Sequence, residues 1–290
     1  EVVSSPGGPA ITQLDTVSSP IVLISGAGPR EGYIPAQALQ AGANSTTFDA
    51  GMYVPVIVGG NVFDDKNANG IQDSGEPGLP GAKITATHTL TGESTTVFSN
   101  STGGYSVSLM PGGYIAKIVP PSPDFVLSPL SIPGSAKGND FNPITNSTQE
   151  KLLRSGESGL GSFDAGFYSP VTIESTVWND VNANGIFDQG EVGYTGAMTV
   201  TLYAVGSTVP FKSTATTANG YFKFVDIPPG AYEIEFSQPT AGSSFTLQNA
   251  GNNDLKDSDV DPNTGRAPLT VVSGVDISDI TAGITSLSSI

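Results

Sequence analysis

Residues 63–82 read FDDKNANGIQDSGEPGLPGA and residues 178–197 read WNDVNANGIFDQGEVGYTGA, an offset of 115 (178 minus 63). In the first copy Asp65, Asn67, Asn69, Gly70, Ile71, Asp73 and Glu76 stand at positions 1, 3, 5, 6, 7, 9 and 12 of a loop. Asp180, Asn182, Asn184, Gly185, Ile186, Asp188 and Glu191 repeat that spacing in the second. Both match the calcium pattern D-x-[DN]-x-[DN]-G-x5-E. The spacing has a physical origin. Ca²⁺ takes about 6–8 hard oxygens, and alternate residues of a tightly curved loop point carboxylate and amide oxygens inward. Glycine at the sixth place permits the sharp turn. The seventh residue offers only its carbonyl, leaving the side chains of Ile71 and Ile186 free to face a core, and the closing glutamate can bind with both oxygens. Mg²⁺ demands a tighter octahedral shell and fits less well. A metal-free Asx-rich turn explains the Asn-Gly pairs but leaves the acids at positions 1, 9 and 12 without a role.

The flanks exclude a helix-loop-helix hand. Pro77-Gly78-Leu79-Pro80-Gly81 and Val192-Gly193-Tyr194-Thr195-Gly196 cannot continue a helix, so each loop joins strands. With no helices to swing apart, the ion acts as a staple and not as a sensor switch. Composition agrees. Among 290 residues there are 36 Gly and 22 Pro, only 13% are charged and 37% are apolar. Short runs such as Thr199-Val200-Thr201-Leu202-Tyr203 and Tyr221-Phe222-Lys223-Phe224 read as half-buried strands between turns. The expected fold class is all-β: tandem Greek-key β-sandwich modules of prealbumin/Ig-like type, with antiparallel sheets.

The repeat runs beyond the loops. Gly104-Tyr105 answers Gly220-Tyr221, and Pro111-Gly112-Gly113-Tyr114 answers Pro229-Gly230-Ala231-Tyr232. Each module closes on a similar phrase, Phe163-Asp164-Ala165-Gly166 and Ile280-Thr281-Ala282-Gly283, and Phe48-Asp49-Ala50-Gly51 stands before the first loop. We therefore expect modules at 54–168 and 169–290, with 1–53 as an incomplete module or donor strand. Residues 34–40 carry the one helical hint. A chain opening on Glu1-Val2-Val3 reads as processed or excised.

A second acidic stretch, Asp254 to Asp261, places Asp257, Asp259 and Asp261 at alternate positions, where extended backbone projects three carboxylates together. A second cation site relieves that repulsion, and a solvated acidic loop is the alternative. Module one keeps only Asp140 in the equivalent stretch, which argues for a weaker site there or none.

Other function classes are disfavoured. A net charge of −16 repels nucleic acid and anionic membrane surfaces. No apolar run is long enough to span a bilayer. Zero cysteines exclude disulfides, thiolate metal sites and cysteine nucleophiles. The sole histidine, His88, lies in an alternating Thr-rich run and reads as a strand surface residue, so a serine triad has no ready base and the chain is not expected to be an enzyme. No Lys, Asn and Glu set for an internal isopeptide bond is legible around Lys83. Trp178, matched by Phe63, reads as a core plug rather than a carbohydrate platform. Sequons at Asn44, Asn100 and Asn146 occur no more often than chance supplies.

The W/F-x-D-x-N-x-N-G-I-x-D-x-G-E phrase, the later G-Y-x-F and P-G-x-Y phrases and the D-S-D-x-D stretch resemble the B-type repeats of serine-aspartate repeat surface proteins, which are similar to collagen-adhesin B domains. The resemblance covers about residues 54–290. It implies calcium-dependent spacers that rigidify adhesin stalks, secreted and held at the cell surface or in the matrix. The chain carries no serine-aspartate tract, ligand-binding region or LPxTG signal. Two alternatives accompany the spacer reading: a self-assembling filament or sheath subunit, its apolar run Ser19-Pro20-Ile21-Val22-Leu23-Ile24 donated to the sheet edge of another copy, and an adhesion module gripping an unidentified surface or matrix ligand.

Overall fold

The structure is a computed structural model, and it describes residues 3–5, 10–13, 30–32, 51–131, 137–157 and 163–286. The run 19–24, the helical hint at 34–40 and Asp49 lie outside them. Among the described residues every regular element is a strand. Ahead of the first module run β1 (Val3–Ser5), β2 (Ala10–Gln13), β3 (Arg30–Gly32) and β4 (Gly51–Tyr53). The first half then contributes β5 (Val56–Asp64), β6 (Lys83–His88), β7 (Ser94–Phe98), β8 (Gly104–Leu109), β9 (Gly112–Val119), β10 (Val126–Leu127), β11 (Lys151–Leu153) and β12 (Ala165–Tyr168). The second contributes β13 (Val171–Asn179), β14 (Thr199–Ala204), β15 (Lys212–Ala215), β16 (Tyr221–Ile227), β17 (Gly230–Phe236), β18 (Ser243–Phe245), β19 (Arg266–Val271) and β20 (Ala282–Ser286).

Four four-stranded sheets result, ordered β10-β12-β5-β8 and β11-β9-β6-β7 in the first half and β18-β20-β13-β16 and β19-β17-β14-β15 in the second. The topology is thus repeated strand for strand. The expectation of antiparallel sheets is amended at β20, which runs parallel to β13 (Val177 beside Ala282). The last strand enters this sheet from β19 of the other, and the crossover brings it in alongside β13 in the same direction.

By contacts the chain divides into two units, Glu1–Val62 with Gly78–Pro121 and Asn139–Ala165, and Phe63–Pro77 with Ser122–Gly138 and Gly166–Ile290. Both twelve-residue loops fall in the second. Its core is written in period-two strands. In β17 Tyr232, Ile234 and Phe236 are buried, while Ala231, Glu233 and Glu235 face outward. Phe236 meets Phe222 edge to face at 5.4 Å, and Val171, Ile173, Val200, Leu202 and Val260 close around them. Each such side chain contributes roughly 1.5–3 kcal/mol by leaving water. In the first unit β9 alternates likewise, with Tyr114, Ala116 and Ile118 inside and Ile115, Lys117 and Val119 outside.

Two sequence readings are corrected here. His88 is not on the surface: it is buried at the end of β6, its ring 5.0 Å from Tyr114, and Nδ1 accepts the N–H groups of Leu90 and Thr91 at 3.2 and 3.1 Å. Its imidazole closes the turn after β6, a task that needs it on the inner face. The Gly-Tyr phrases are also offset by one residue. Asn61 pairs with Gly104 and Thr176 with Tyr221, so Gly104 answers Tyr221 and Tyr105 answers the core residue Phe222. Tyr105 fills that core place with a phenol, whose hydroxyl donates to the Phe163 carbonyl at 2.6 Å. Burial pushes the phenol far above its ordinary range.

Candidate metal centres

Each loop begins where a core strand ends. Phe63 and Trp178 are fully buried, and the next inward carboxylates, Asp65 and Asp180, are 0% and 2% exposed. The backbone N–H of Asp65 donates to Phe167 O and that of Asp180 to Ile284 O, both at 2.8 Å, which ties the first loop residue to β12 and β20. The chain then curls around these acids. Asp65 Oδ1 accepts from Asn69 N at 3.1 Å and Oδ2 from Gly70 N at 2.7 Å. Asp180 accepts from Asn184 N at 3.2 Å and Gly185 N at 2.7 Å. Asn67 Oδ1 takes Asn69 N, Asn69 Oδ1 takes Ile71 N, and Asn182 and Asn184 do the same one repeat later. The turn needs left-handed backbone at Gly70 and Gly185, where φ is 78° in both.

The remaining loop acids close the ring. Asp73 Oδ2 accepts from the amides of Asn67 and Asn69, each at 2.8 Å, and Asp188 Oδ2 from Asn182 and Asn184 at 3.0 and 2.8 Å. Those donors hold the Asp188 carboxyl below its usual range. Glu76 spans the loop base, its oxygens accepting from Lys66 N at 2.8 Å and Asp73 N at 2.9 Å, and Glu191 does so from Val181 N and Asp188 N. Burial pushes Glu76 up, against those backbone N–H bonds, and the Asp65 and Asp73 charges add to the rise. Ile71 and Ile186 are half-buried. Each loop thus carries the Asp, Asn, Asn, Asp and Glu named from the spacing on one curled backbone, tied by hydrogen bonds within the loop; among the described residues its three carboxylates are not drawn together into one group.

The acidic stretch of the second half lies beside loop two: Ile186 bridges to Asp257, and Phe187 N–H donates to Lys256 O at 2.6 Å. Here the structure groups Asp254, Asp257 and Asp259, with one carboxylate oxygen of each within 4.8 Å of the others. Asp261 is not part of the group. The chain turns at 261–264, and its Oδ1 accepts from Asn263 N at 2.8 Å instead, so the extended backbone that alternation requires ends before it. Asp257 is buried and its Oδ1 has no hydrogen-bond partner. An orphaned buried carboxylate oxygen is costly unless a cation or proton meets it. Burial, with the Asp254, Asp257 and Asp279 charges adding to it, drives the Asp259 carboxyl up to about 7, and burial and Asp254 raise Asp257. The donor set therefore fits a cation. In the first half Gly138, Asn139 and Asp140 answer Asp257, Ser258 and Asp259, aligned by the bridges from Ile71 to Gly138 and from Ile186 to Asp257. Asn139 turns its amide to Phe141 O and N at 3.0 and 3.1 Å, and Asp140 accepts from Asp164 N at 2.8 Å.

With this geometry in view, comparison with known proteins is decisive. Residues 56–167 and 171–284 each match the SdrD B-like domain. The chain belongs to the SdrD B-like family. It is 30% identical over 281 residues to serine-aspartate repeat-containing protein D of Staphylococcus aureus strain MW2, covering 95% of this chain and 19% of that protein. It is 30% identical over 221 residues to serine-aspartate repeat-containing protein F of Staphylococcus epidermidis strain ATCC 12228, covering 75% and 13%. The chain therefore spans less than a fifth of these relatives. Among solved structures, the minor pilin GBS52 of Streptococcus agalactiae aligns over 82% of this chain and 98% of its own at 9% identity and a TM-score of 0.30. The shaft pilin SpaA of Lactobacillus rhamnosus GG aligns over 82% and 99% at 11% and 0.27. Membership makes this chain a structural module of cell-surface proteins, in a family that is not one of enzymes. No helix among the described residues is long and apolar enough to cross a membrane.

Three participants in these SdrD B-like modules escape a linear reading. Thr246 Oγ1 donates to Asp180 Oδ2 across 66 positions of chain. Gly283 lies against the indole: a Cβ there would stand 2.5 Å from Thr246 Cγ2 and 2.7 Å from Trp178 Cζ2, and at Gly166 it would stand 2.8 Å from Phe63 Cζ. The closing Ala-Gly phrase is thereby explained, since the aromatic plug at each loop entrance leaves no room for a side chain. Asp164 supports the first half differently, its Oδ1 accepting from Asn61 N at 2.7 Å. The shared phrase alone hinted at these glycines. Nothing in the sequence pointed to Thr246.

Proposed function

We propose that this chain is a calcium-stiffened spacer of a surface protein, built from modules at about 54–168 and 169–290. Asp65, Asn67, Asn69, the Ile71 carbonyl, Asp73 and Glu76 would hold one calcium, and Asp180, Asn182, Asn184, the Ile186 carbonyl, Asp188 and Glu191 another. Asp257 and Asp259, joined by Asp254, would hold a third cation in the second module. The observation that carries the reading is the duplication of the loop network contact for contact, on loops that leave one strand and dock by hydrogen bonds on another. Calcium supplies positive charge to an acidic loop. The chain's part is to present oxygens on a backbone already curled by its own N–H groups, so that few rotamers are lost when the ion arrives. Any ion that binds only the folded state stabilises it by mass action. Removal of calcium with EGTA is expected to lower Tm and raise protease sensitivity, both restored by calcium and not by magnesium. An identical melt with and without calcium would refute the reading.

A further inference from the structure

Asparagine followed by glycine occupies positions 5 and 6 of both loops, Asn69-Gly70 and Asn184-Gly185, and occurs again at Asn219-Gly220 in the turn between β15 and β16. A glycine leaves its own backbone nitrogen open to attack on the preceding carboxamide. In the closed loop three bonds oppose that attack. Gly70 N–H is held by Asp65 Oδ2 at 2.7 Å, Asn69 Oδ1 by Ile71 N–H at 2.7 Å, and Asn69 Nδ2 by Asp73 Oδ2 at 2.8 Å. The second loop has the same three, at 2.7, 2.8 and 2.8 Å. Every acceptor of a side-chain proton or backbone N–H in that lock is a carboxylate or carboxamide oxygen assigned above to calcium. Without a cation, the charges of Asp65 and Asp73 act unopposed on Glu76 at the loop base, and opening of the loop frees the asparagine.

We propose that Asn69 and Asn184 are calcium-guarded deamidation sites, an inference that rests on the calcium reading. In the open loop Gly70 N loses its proton and bonds to Asn69 Cγ, and the carboxamide nitrogen leaves with a proton as ammonia, giving a succinimide. Water then opens the ring at either carbonyl to aspartate or isoaspartate. Aspartate at position 5 still satisfies the calcium pattern. Isoaspartate inserts a methylene into the backbone, breaks the spacing and removes the site for good. A module that spends time without calcium thus loses its staple irreversibly.

Asn219 serves as an internal reference, because Gly220 N–H is held by Thr217 O at 2.9 Å and Asn219 Oδ1 by the Thr217 hydroxyl, with no loop carboxylate involved. The full chain is incubated at mildly alkaline pH in calcium or EGTA, and conversion at the three asparagines is followed by peptide mass mapping. The expected result is that EGTA accelerates Asn69 and Asn184 by up to about a hundredfold, the suppression of opening when calcium stands at about 100 times its Kd, while Asn219 keeps one rate. Equal rates at Asn69 and Asn184 in both buffers, or the same acceleration at Asn219, would overturn the proposal. Calorimetric calcium titration of fresh protein separates the two ideas: absence of binding defeats the calcium reading, and binding without protection defeats this inference alone. After ageing in EGTA the natural chain is expected to lose part of its calcium-induced rise in Tm, and after storage in calcium to keep it. An aged natural chain that keeps it all contradicts the proposed consequence.

Discussion

At the scale of single residues, the loops depend on groups that do two jobs. Asp65 and Asp180 are buried because they accept two backbone N–H groups each, and they would present the same oxygens to calcium. Asp180→Ala leaves Gly185 N–H and the Thr246 hydroxyl without their acceptor. It is expected to lower stability by about 1–3 kcal/mol per buried group left unsatisfied, and to abolish the calcium response of the second loop while the first keeps its own; urea unfolding with and without calcium reads both. The glycines behind the aromatic plugs act through space alone. Gly283→Ala puts a methyl against Trp178 and Thr246, and overpacking of this kind costs about 1–3 kcal/mol. Thermal melts of that variant are expected to fall further than those of Gly104→Ala, where a Cβ would meet nothing nearer than the Asn100 side chain at 3.5 Å. Local spacing made the loop's own hydrogen-bonded network readable, since one loop residue lies within a few bonds of the next. The partners Thr246 and Gly283 were not readable, because only the folded sheet brings them to the loop.

At the scale of elements, the second loop and the acidic turn beside it respond to pH and calcium together. The only tryptophan in the chain, Trp178, ends the strand that feeds this loop and stacks on Phe187 within it at 5.3 Å. Calcium removal is expected to shift and quench its emission, and a spectrum indifferent to EGTA would mean that the loop does not move. The acidic turn adds a signed pH effect. Asp259 has its carboxyl raised to about 7 in the fold, against an ordinary value near 3.8. Between those values the folded state binds the proton that the unfolded state has released, so stability falls as pH rises from about 4 to about 7. In EGTA, Tm is expected to decline across that window. In calcium the carboxylate form is the bound form, and the decline is expected to disappear. The alternating acids suggested this cluster, but the strand-like spacing placed Asp261 in it where the structure places Asp254. A turn at 261–264 changes the direction of the chain, and turn geometry depends on what packs beneath it.

At the scale of the whole molecule, charge is the governing quantity. A chain of net charge −16 resists compaction, and the loops concentrate that charge. If calcium acts in part by neutralising it, raising salt in EGTA is expected to recover some of the lost Tm, because exposed charges farther apart than roughly 8–10 Å are screened at about 0.1–0.15 M. It should not restore the tryptophan signal, which depends on the ion's geometry and not on its charge. The sequence by itself determined the all-β class, the repeat and the two loops with the order of their acids and amides. Each of these is set by periodicity or spacing between near neighbours in the chain. Only the tertiary structure decided that β20 lies parallel to β13, that Tyr105 and not Gly104 takes the core place of Phe222, that His88 is buried, that Thr246 bonds Asp180, and that Asp254 groups with Asp257 and Asp259. Those outcomes rest on pairings between distant segments, whose free energy comes from burying shared surface and satisfying buried polar groups, and a linear pattern does not carry that information.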